Sequence, residues 1–172
     1  DYLTGLPNRA LFVERVGQAL VLAQRHQRHL GVLFLDLNGF KPINDRYGHQ
    51  AGDLVLQGVA KRLREHIRAS DTVCRQGGEE FVILVPELPA GDHLQQLAQT
   101  LTTVISQPHE VMGVCLSMAV SIGMAVYPDH GETVDALLHS ADTAMYRAKR
   151  DGPPHLRFAD QRVPSSQPAD LQ

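Results

Sequence analysis

The sequence predicts an α+β fold: a mainly antiparallel sheet with helices packed on it, around a β-α-β-β-α-β core of ferredoxin-like type. Three observations carry that expectation. Short apolar runs of strand length alternate with longer stretches whose apolar residues recur at helical spacing. Gly77-Gly78 lies between two strand-like runs, where a tight hairpin needs positive φ. The chain's 172 residues, 43% hydrophobic and 20% charged, suffice for one domain with one core.

In chain order, Asp1–Asn8 reads as a loop whose last residue caps a helix over about Arg9–Gln27, with Leu11, Phe12, Val16, Leu20 and Ala23 as its stripe. Leu30–Leu37 is too short for a helix and reads as a buried strand, punctuated by Asn38-Gly39. Pro42 fits the first turn of a short helix that Gly48 ends, and Asp53 is placed to open a long one over about Leu54–Ala69. Thr72–Arg75 and Glu80–Val85 are the hairpin strands. Asp92–Ile105 follows as a helix, Val111–Cys115 and Ser117–Val126 as strands, Thr133–Arg150 as a helix and His155–Phe158 as a last edge strand. The domain is expected to span residues 1–158. Residues 159–172, with Pro164, Ser165, Ser166 and Pro168, read as a disordered tail.

The formal net charge of −3 and a pI near 6.3 give no support for a broad nucleic-acid-binding face. No apolar run approaches the length of a membrane span, so no membrane contact is expected of this segment. Cys74 and Cys115 sit in apolar runs and read as reduced core residues of a cytoplasmic protein. A chain that starts at Asp1, without a basic-then-apolar leader, is expected to be part of a longer protein, with any sensor or membrane segment upstream.

Chemistry concentrates at the carboxyl end of the first strand, the end of a sheet where ligands usually bind. Asp36 stands there. Alone it reads as an ordinary turn residue, but alternation puts Asn38 on the same face with a second oxygen. The run Gly77-Gly78-Glu79-Glu80-Phe81 places two carboxylates at a tight turn, where they contribute nothing to a core. The ordinary reading is a solvated turn. The functional one is that the glycines let a nucleotide approach the backbone while Glu79 joins Asp36 around a hard cation such as Mg²⁺. Between them, the loop that follows the strand and precedes a helix, from Phe40 on, offers free backbone N–H groups to phosphate. Asn44 and Asp53 could read a base edge, and an Asp that accepts from N1–H and the 2-amino group selects guanine.

The segments Asp1–Arg9, Phe40–Asp45 with Gly48-His49 and Gly52-Asp53, Arg75–Phe81, Ser121–Gly123 and Ala141–Lys149 occur in that order. Together, over roughly residues 1–152, they resemble the GGDEF family of diguanylate cyclases in its GGEEF form. The resemblance implies a palm-type, nucleotide-cyclase-like sheet and the condensation of two GTP into cyclic di-GMP and two diphosphates across a homodimer of half-sites. By that pattern Asp36, the Leu37 carbonyl and Glu79 hold Mg²⁺ or Mn²⁺. Glu80 assists at the metal or in activating the attacking hydroxyl. Gly77, Gly78, Phe40, Lys41 and Lys149 meet the nucleotide and its phosphates, and Asn44 and Asp53 recognise guanine. Arg68 and Asp71 of Arg68-Ala69-Ser70-Asp71 correspond to the family's inhibitory product site. Read from the residues alone, they are a helix-end arginine and a turn aspartate.

Departures from the pattern temper these expectations. Many members carry a carboxylate at the position of Asn38 and a bulkier residue at that of Gly39. The usual Gly-Arg-Asn is here Gly152-Pro153-Pro154, so a phosphate-contacting Arg is missing. Residues 92–107 contain no Lys or Arg, so product inhibition is expected to be weak or absent. His26 and His29 read as polar-face residues rather than a metal pair, and His49 as a structural hydrogen-bonder. The alternative to a cyclase is a non-catalytic module that binds GTP or cyclic di-GMP and regulates a neighbouring domain. A polymerase-type palm lacks the basic surface it would need. Homodimerisation is expected to be transient and to depend on an upstream segment.

Overall fold

The computed structural model describes residues 1–161. Twelve elements follow the order α1 (Arg9–His26), β1 (Leu30–Asn38), α2 (Phe40–Tyr47), α3 (His49–His66), β2 (Thr72–Gly77), β3 (Glu80–Val85), α4 (His93–Ser106), β4 (His109–Val111), β5 (Val114–Leu116), β6 (Ala119–Tyr127), α5 (Val134–Asp151) and β7 (Leu156–Phe158). Five strands form one sheet in the order β2-β3-β1-β6-β7. Every pairing is antiparallel except that of β6 with β7. Strands β1, β2, β3 and β6 with α3 and α4 make the expected ferredoxin-like core.

β1 is apolar at almost every position because it is covered on both faces. Leu33, Leu35 and Leu37 pack with α2, α3 and α4, whereas Leu30, Val32 and Phe34 pack with α1 and α5. Burying each such leucine contributes about 1.5–3 kcal/mol. Asp36 shares the parity of Val32 and Phe34, which turns its side chain to the α1/α5 face. The stripe of α1 is buried at Phe12, Val16, Leu20 and Ala23, while Leu11 is exposed. The Asn8 Oδ1 accepts from the Leu11 N–H at 2.9 Å, as its N-cap role predicts.

Four expectations need correction. Asp53 does not open α3. Gly48, at φ 89°, turns the chain so that the helix begins at His49, and Asp53 stands exposed inside it. The apolar run Val111–Cys115 is not one strand. Met112 and Gly113, at φ 51° and 75°, fold it into the β4–β5 hairpin, a separate two-stranded sheet. Cys115 lies on the open side of that hairpin and is exposed, whereas Cys74 is buried, which pushes its thiol pKa up to about 12. Finally, the hairpin between β2 and β3 turns on Gly78-Glu79, because Gly77 already pairs with Glu80 after a bulge at Gln76. At the C-terminal edge, the Ala159 N–H donates to the Met124 carbonyl and Arg147 pairs with Asp160, so the chain is anchored there. The rest of the expected tail, 162–172, lies outside the described residues.

Candidate active site

The carboxyl end of β1 is where the expected residues meet. Asp36 pairs across the sheet with Glu80 of β3 on one side and Ser121 of β6 on the other. Such neighbours project on one face, so the two carboxylates are set side by side. The turn that follows Gly78 brings Glu79 to the same place: its carbonyl accepts from the Leu37 N–H at 3.2 Å. Arg75 steadies the turn, donating from Nε to the Gly78 carbonyl at 2.9 Å while its Nη1 lies 3.3 Å from Asp1 Oδ1. The bulge and the positive φ of Gly78, 51°, let the chain reverse so tightly.

Asp36 is 6% exposed. Its Oδ2 receives Lys149 Nζ of α5 at 2.7 Å, and its Oδ1 is buried without a hydrogen-bond partner. Asn38 donates from Nδ2 to Ser121 Oγ at 2.8 Å, which leaves its own Oδ1 buried and unpartnered as well. Two orphaned oxygens on one face of a strand end are costly unless something electropositive completes them. Electrostatics agree. Burial, then the charges of Asp36, Asp142 and Glu79, raises the pKa of Glu80 above the ordinary carboxylate range. The hydrogen bond to Asp36, reinforced by the charges of Glu79 and Glu80, raises that of Lys149. Lys149 was expected at the nucleotide's phosphates and is found on Asp36, because α5 runs along the face to which Asp36 points.

Among the described residues no three His, Cys, Asp or Glu side chains form a metal cage by themselves. The donor set nevertheless fits a hard cation held jointly with substrate. Asp36, Glu79 and the Leu37 carbonyl could supply a few oxygens, with water and phosphates as the rest, as is usual for Mg²⁺.

Directly after β1, Gly39 at φ 86° leads into α2 without a side-chain cap, so the first N–H groups, at Phe40 and Lys41, have no side chain competing for them. Farther along, Asn44 Oδ1 is buried and unpartnered. Gly52 makes that position possible: a Cβ there would lie 1.8 Å from Asn44 Oδ1 and 2.8 Å from its Cγ. Asp53 follows on α3. Arg68 and Asp71 sit apart from this cluster, beyond the opposite end of β2. The Asp71 Oδ2 accepts from the Arg68 N–H at 3.0 Å, and the Arg68 Nη2 donates to the Glu87 carbonyl at 3.1 Å, so the pair braces the turn after α3. His49 is exposed at the start of α3.

Sequence reasoning assigned no role to Ser121, Asp142, Gly52 or Arg75. Ser121 carried a signal, since a fully buried serine in an apolar strand needs a polar neighbour. Gly52 and Arg75 act through contacts made only in three dimensions.

A buried strand-end carboxylate beside a glycine hairpin that carries two more, with an uncapped helix start next in the chain, belongs to palm-type nucleotidyl-transfer and cyclase sites. Comparison with known proteins narrows that class. The model of the diguanylate cyclase GGDEF domain matches residues 1–154, and the chain belongs to this family. Diguanylate cyclase TpbB of Pseudomonas aeruginosa is 44% identical over 165 residues, which cover 95% of this chain and 38% of TpbB. The bifunctional diguanylate cyclase/cyclic di-GMP phosphodiesterase MucR of the same species is 47% identical over 152 residues, 88% of this chain and 22% of MucR. The chain thus spans well under half the length of these relatives. Among solved structures, the GGDEF domain of TpbB matches with a TM-score of 0.90 at 45% identity, covering 93% of this chain and 94% of that one. The GGDEF domain of DgcB from Caulobacter crescentus, solved with cyclic di-GMP, matches with a TM-score of 0.83 at 28% identity, covering 92% and 94%.

Proposed function

We propose that residues 1–158 form a diguanylate cyclase domain that joins two GTP into cyclic di-GMP, releasing two diphosphates, when two copies face each other. The observation that carries this reading is the buried, half-unpartnered carboxylate of Asp36 opposite Glu80, with the Glu79 backbone bonded to Leu37. Asp36, Glu79 and the Leu37 carbonyl would hold Mg²⁺ or Mn²⁺. Such an ion offsets phosphate charge and acidifies an attacking hydroxyl. The chain's own residues position the nucleotide. The first N–H groups of α2, at Phe40 and Lys41, take phosphate oxygens, Gly77 and Gly78 admit the nucleotide to the backbone, and Asn44 with Asp53 reads guanine. Glu80, whose pKa is raised by burial and by the neighbouring carboxylates, is suited to take a proton from the ribose 3′-hydroxyl. Lys149 serves the phosphates once it leaves Asp36. Each chain offers one such nucleotide site, so ring closure needs a second copy. A transient homodimer in the cytoplasm fits this reading. Arg68 and Asp71 would take cyclic di-GMP weakly, because α4 brings no cation to them.

The test is incubation of a fusion to an artificial dimeriser with GTP and Mg²⁺, followed by chromatography of the products. Cyclic di-GMP is expected, and Glu79→Ala should abolish it. GTP binding without product would favour the binding-module alternative, to which Gly152-Pro153-Pro154 lends some support.

Guanine recognition has its own test. Gly52→Ala forces Asn44 to turn its Oδ1 away, so a hydrogen bond to the base is lost. We expect GTP binding about tenfold weaker, in line with the 1–3 kcal/mol cost of an unmade buried hydrogen bond. Titration with a fluorescent GTP analogue reads the change, and unaltered affinity would remove Asn44 from the base site.

A further inference from the structure

Lys149 touches Asp36 where a metal would be expected to. The contact is short, 2.7 Å, and unequal: the Asp36 side chain is 9% exposed, that of Lys149 46%. Around it stand carboxylates. Asp36, Asp142 and Glu79 all act on Glu80, and Lys149 is the cation that opposes them. Without a positive charge these groups repel one another at the end of β1. Lys149 supplies that charge from the last turn of α5, on a flexible four-carbon stem whose outer part is in water.

We propose that Lys149 is a built-in counter-cation that blocks Asp36 to divalent metal until nucleotide arrives, so that metal and GTP load together. An ammonium at 2.7 Å and a divalent ion at about 2.1 Å from one carboxylate would be close enough to repel strongly. Asp36 therefore serves one or the other. A triphosphate at the start of α2 offers Lys149 several negative oxygens in exchange for one carboxylate. Its release frees Oδ2 beside the already unpartnered Oδ1 as the phosphates bring further ligands. A domain regulated this way keeps its acidic cluster partly balanced at rest without holding metal idle.

The proposal rests on the cyclase reading, but its test does not need turnover. Mn²⁺ binding to the isolated chain, without nucleotide, is followed by electron paramagnetic resonance for wild type, Lys149→Met, Lys149→Arg and Lys149→Met combined with Asp36→Asn. Lys149→Met should bind Mn²⁺ about tenfold or more tightly than wild type, the scale on which partners of a metal ligand tune affinity. Lys149→Arg, which keeps the charge, should resemble wild type, and the double variant should lose the gain. Equal affinity in wild type and Lys149→Met would overturn the proposal, because it would mean that metal uses the free Oδ1 while Lys149 stays. A gain that survives Asp36→Asn would overturn it as well. No GTP is present, so an inactive cyclase assay leaves this result standing, and failure here leaves the cyclase reading intact.

Discussion

Asp36→Asn is expected to lower the rate of cyclic di-GMP formation by about a thousandfold, equivalent to about 4 kcal/mol of transition-state stabilisation. The substitution changes little volume and keeps one oxygen, so shape is not the issue. It removes the charge that would balance a divalent ion and that now holds Lys149 Nζ at 2.7 Å. The fold should tolerate the change. Asp36 carries a buried oxygen without a partner and faces Glu80, whose proton affinity it raises. Neutralising it relieves that repulsion, and Lys149, half in solvent, can be hydrated instead. The two effects should therefore separate: Tm within about 3 °C of wild type, or above it, with activity nearly gone. A site that trades stability for function behaves in this way. Initial rates of diphosphate release and a melting curve on the same preparation give both numbers. Activity within tenfold of wild type would remove Asp36 from the metal site.

How far the sequence foretold this arrangement depends on the range of the forces involved. β1 was legible because burial on both faces leaves an apolar run, Leu30 to Leu35, that no surface helix would carry. Asn8 and Thr133 were legible as helix starts because capping is local: each side chain accepts from an N–H three residues on. The glycine hairpin was legible for the same reason, although its centre lies one residue later than the dipeptide suggests, since the bulge at Gln76 depends on pairing with β3. Asp53 misled because a good capping residue is also an acceptable helix residue, and Gly48 won the competition to reverse the chain. Met112-Gly113 was hidden inside an apolar run. Spacing alone left the cation reading of Asp36 and Glu79 beside that of ordinary turn residues, and family resemblance decided between them. The contact of Lys149 with Asp36, 113 positions apart, has no local signature at all. It follows from which sheet face Asp36 uses and where α5 crosses it.

That crossing is governed by a glycine, and Gly123→Ala is expected to destabilise the chain by about 3 kcal/mol, the upper part of the range for overpacking a core. Gly123 lies in mid-β6, opposite Phe34 of β1. A Cβ added there would sit 2.1 Å from the Ala141 carbonyl oxygen and 2.2 Å from the Met145 nitrogen. Both atoms are backbone of α5, so no side chain can rotate away and the helix itself must lift. α5 meets the sheet with small residues, Ala141, Ala144 and Ala148, which lets it lie this close. The entropy that alanine saves in the unfolded chain, about 0.4–1 kcal/mol, is too little to compensate. For a domain of this size the loss corresponds to a fall in Tm of roughly 6–12 °C. It should be accompanied by lower activity in the folded fraction, because a lifted α5 carries Lys149 away from the end of β1, where it would meet the nucleotide's phosphates. The glycine of Ser121-Ile122-Gly123 is thus a packing requirement, two residues from the serine that faces Asp36. Differential scanning calorimetry tests it directly. A Tm unchanged to within 2 °C would show that α5 has slack the contact distances do not allow, and the link drawn here between helix docking and the acidic site would have to be abandoned.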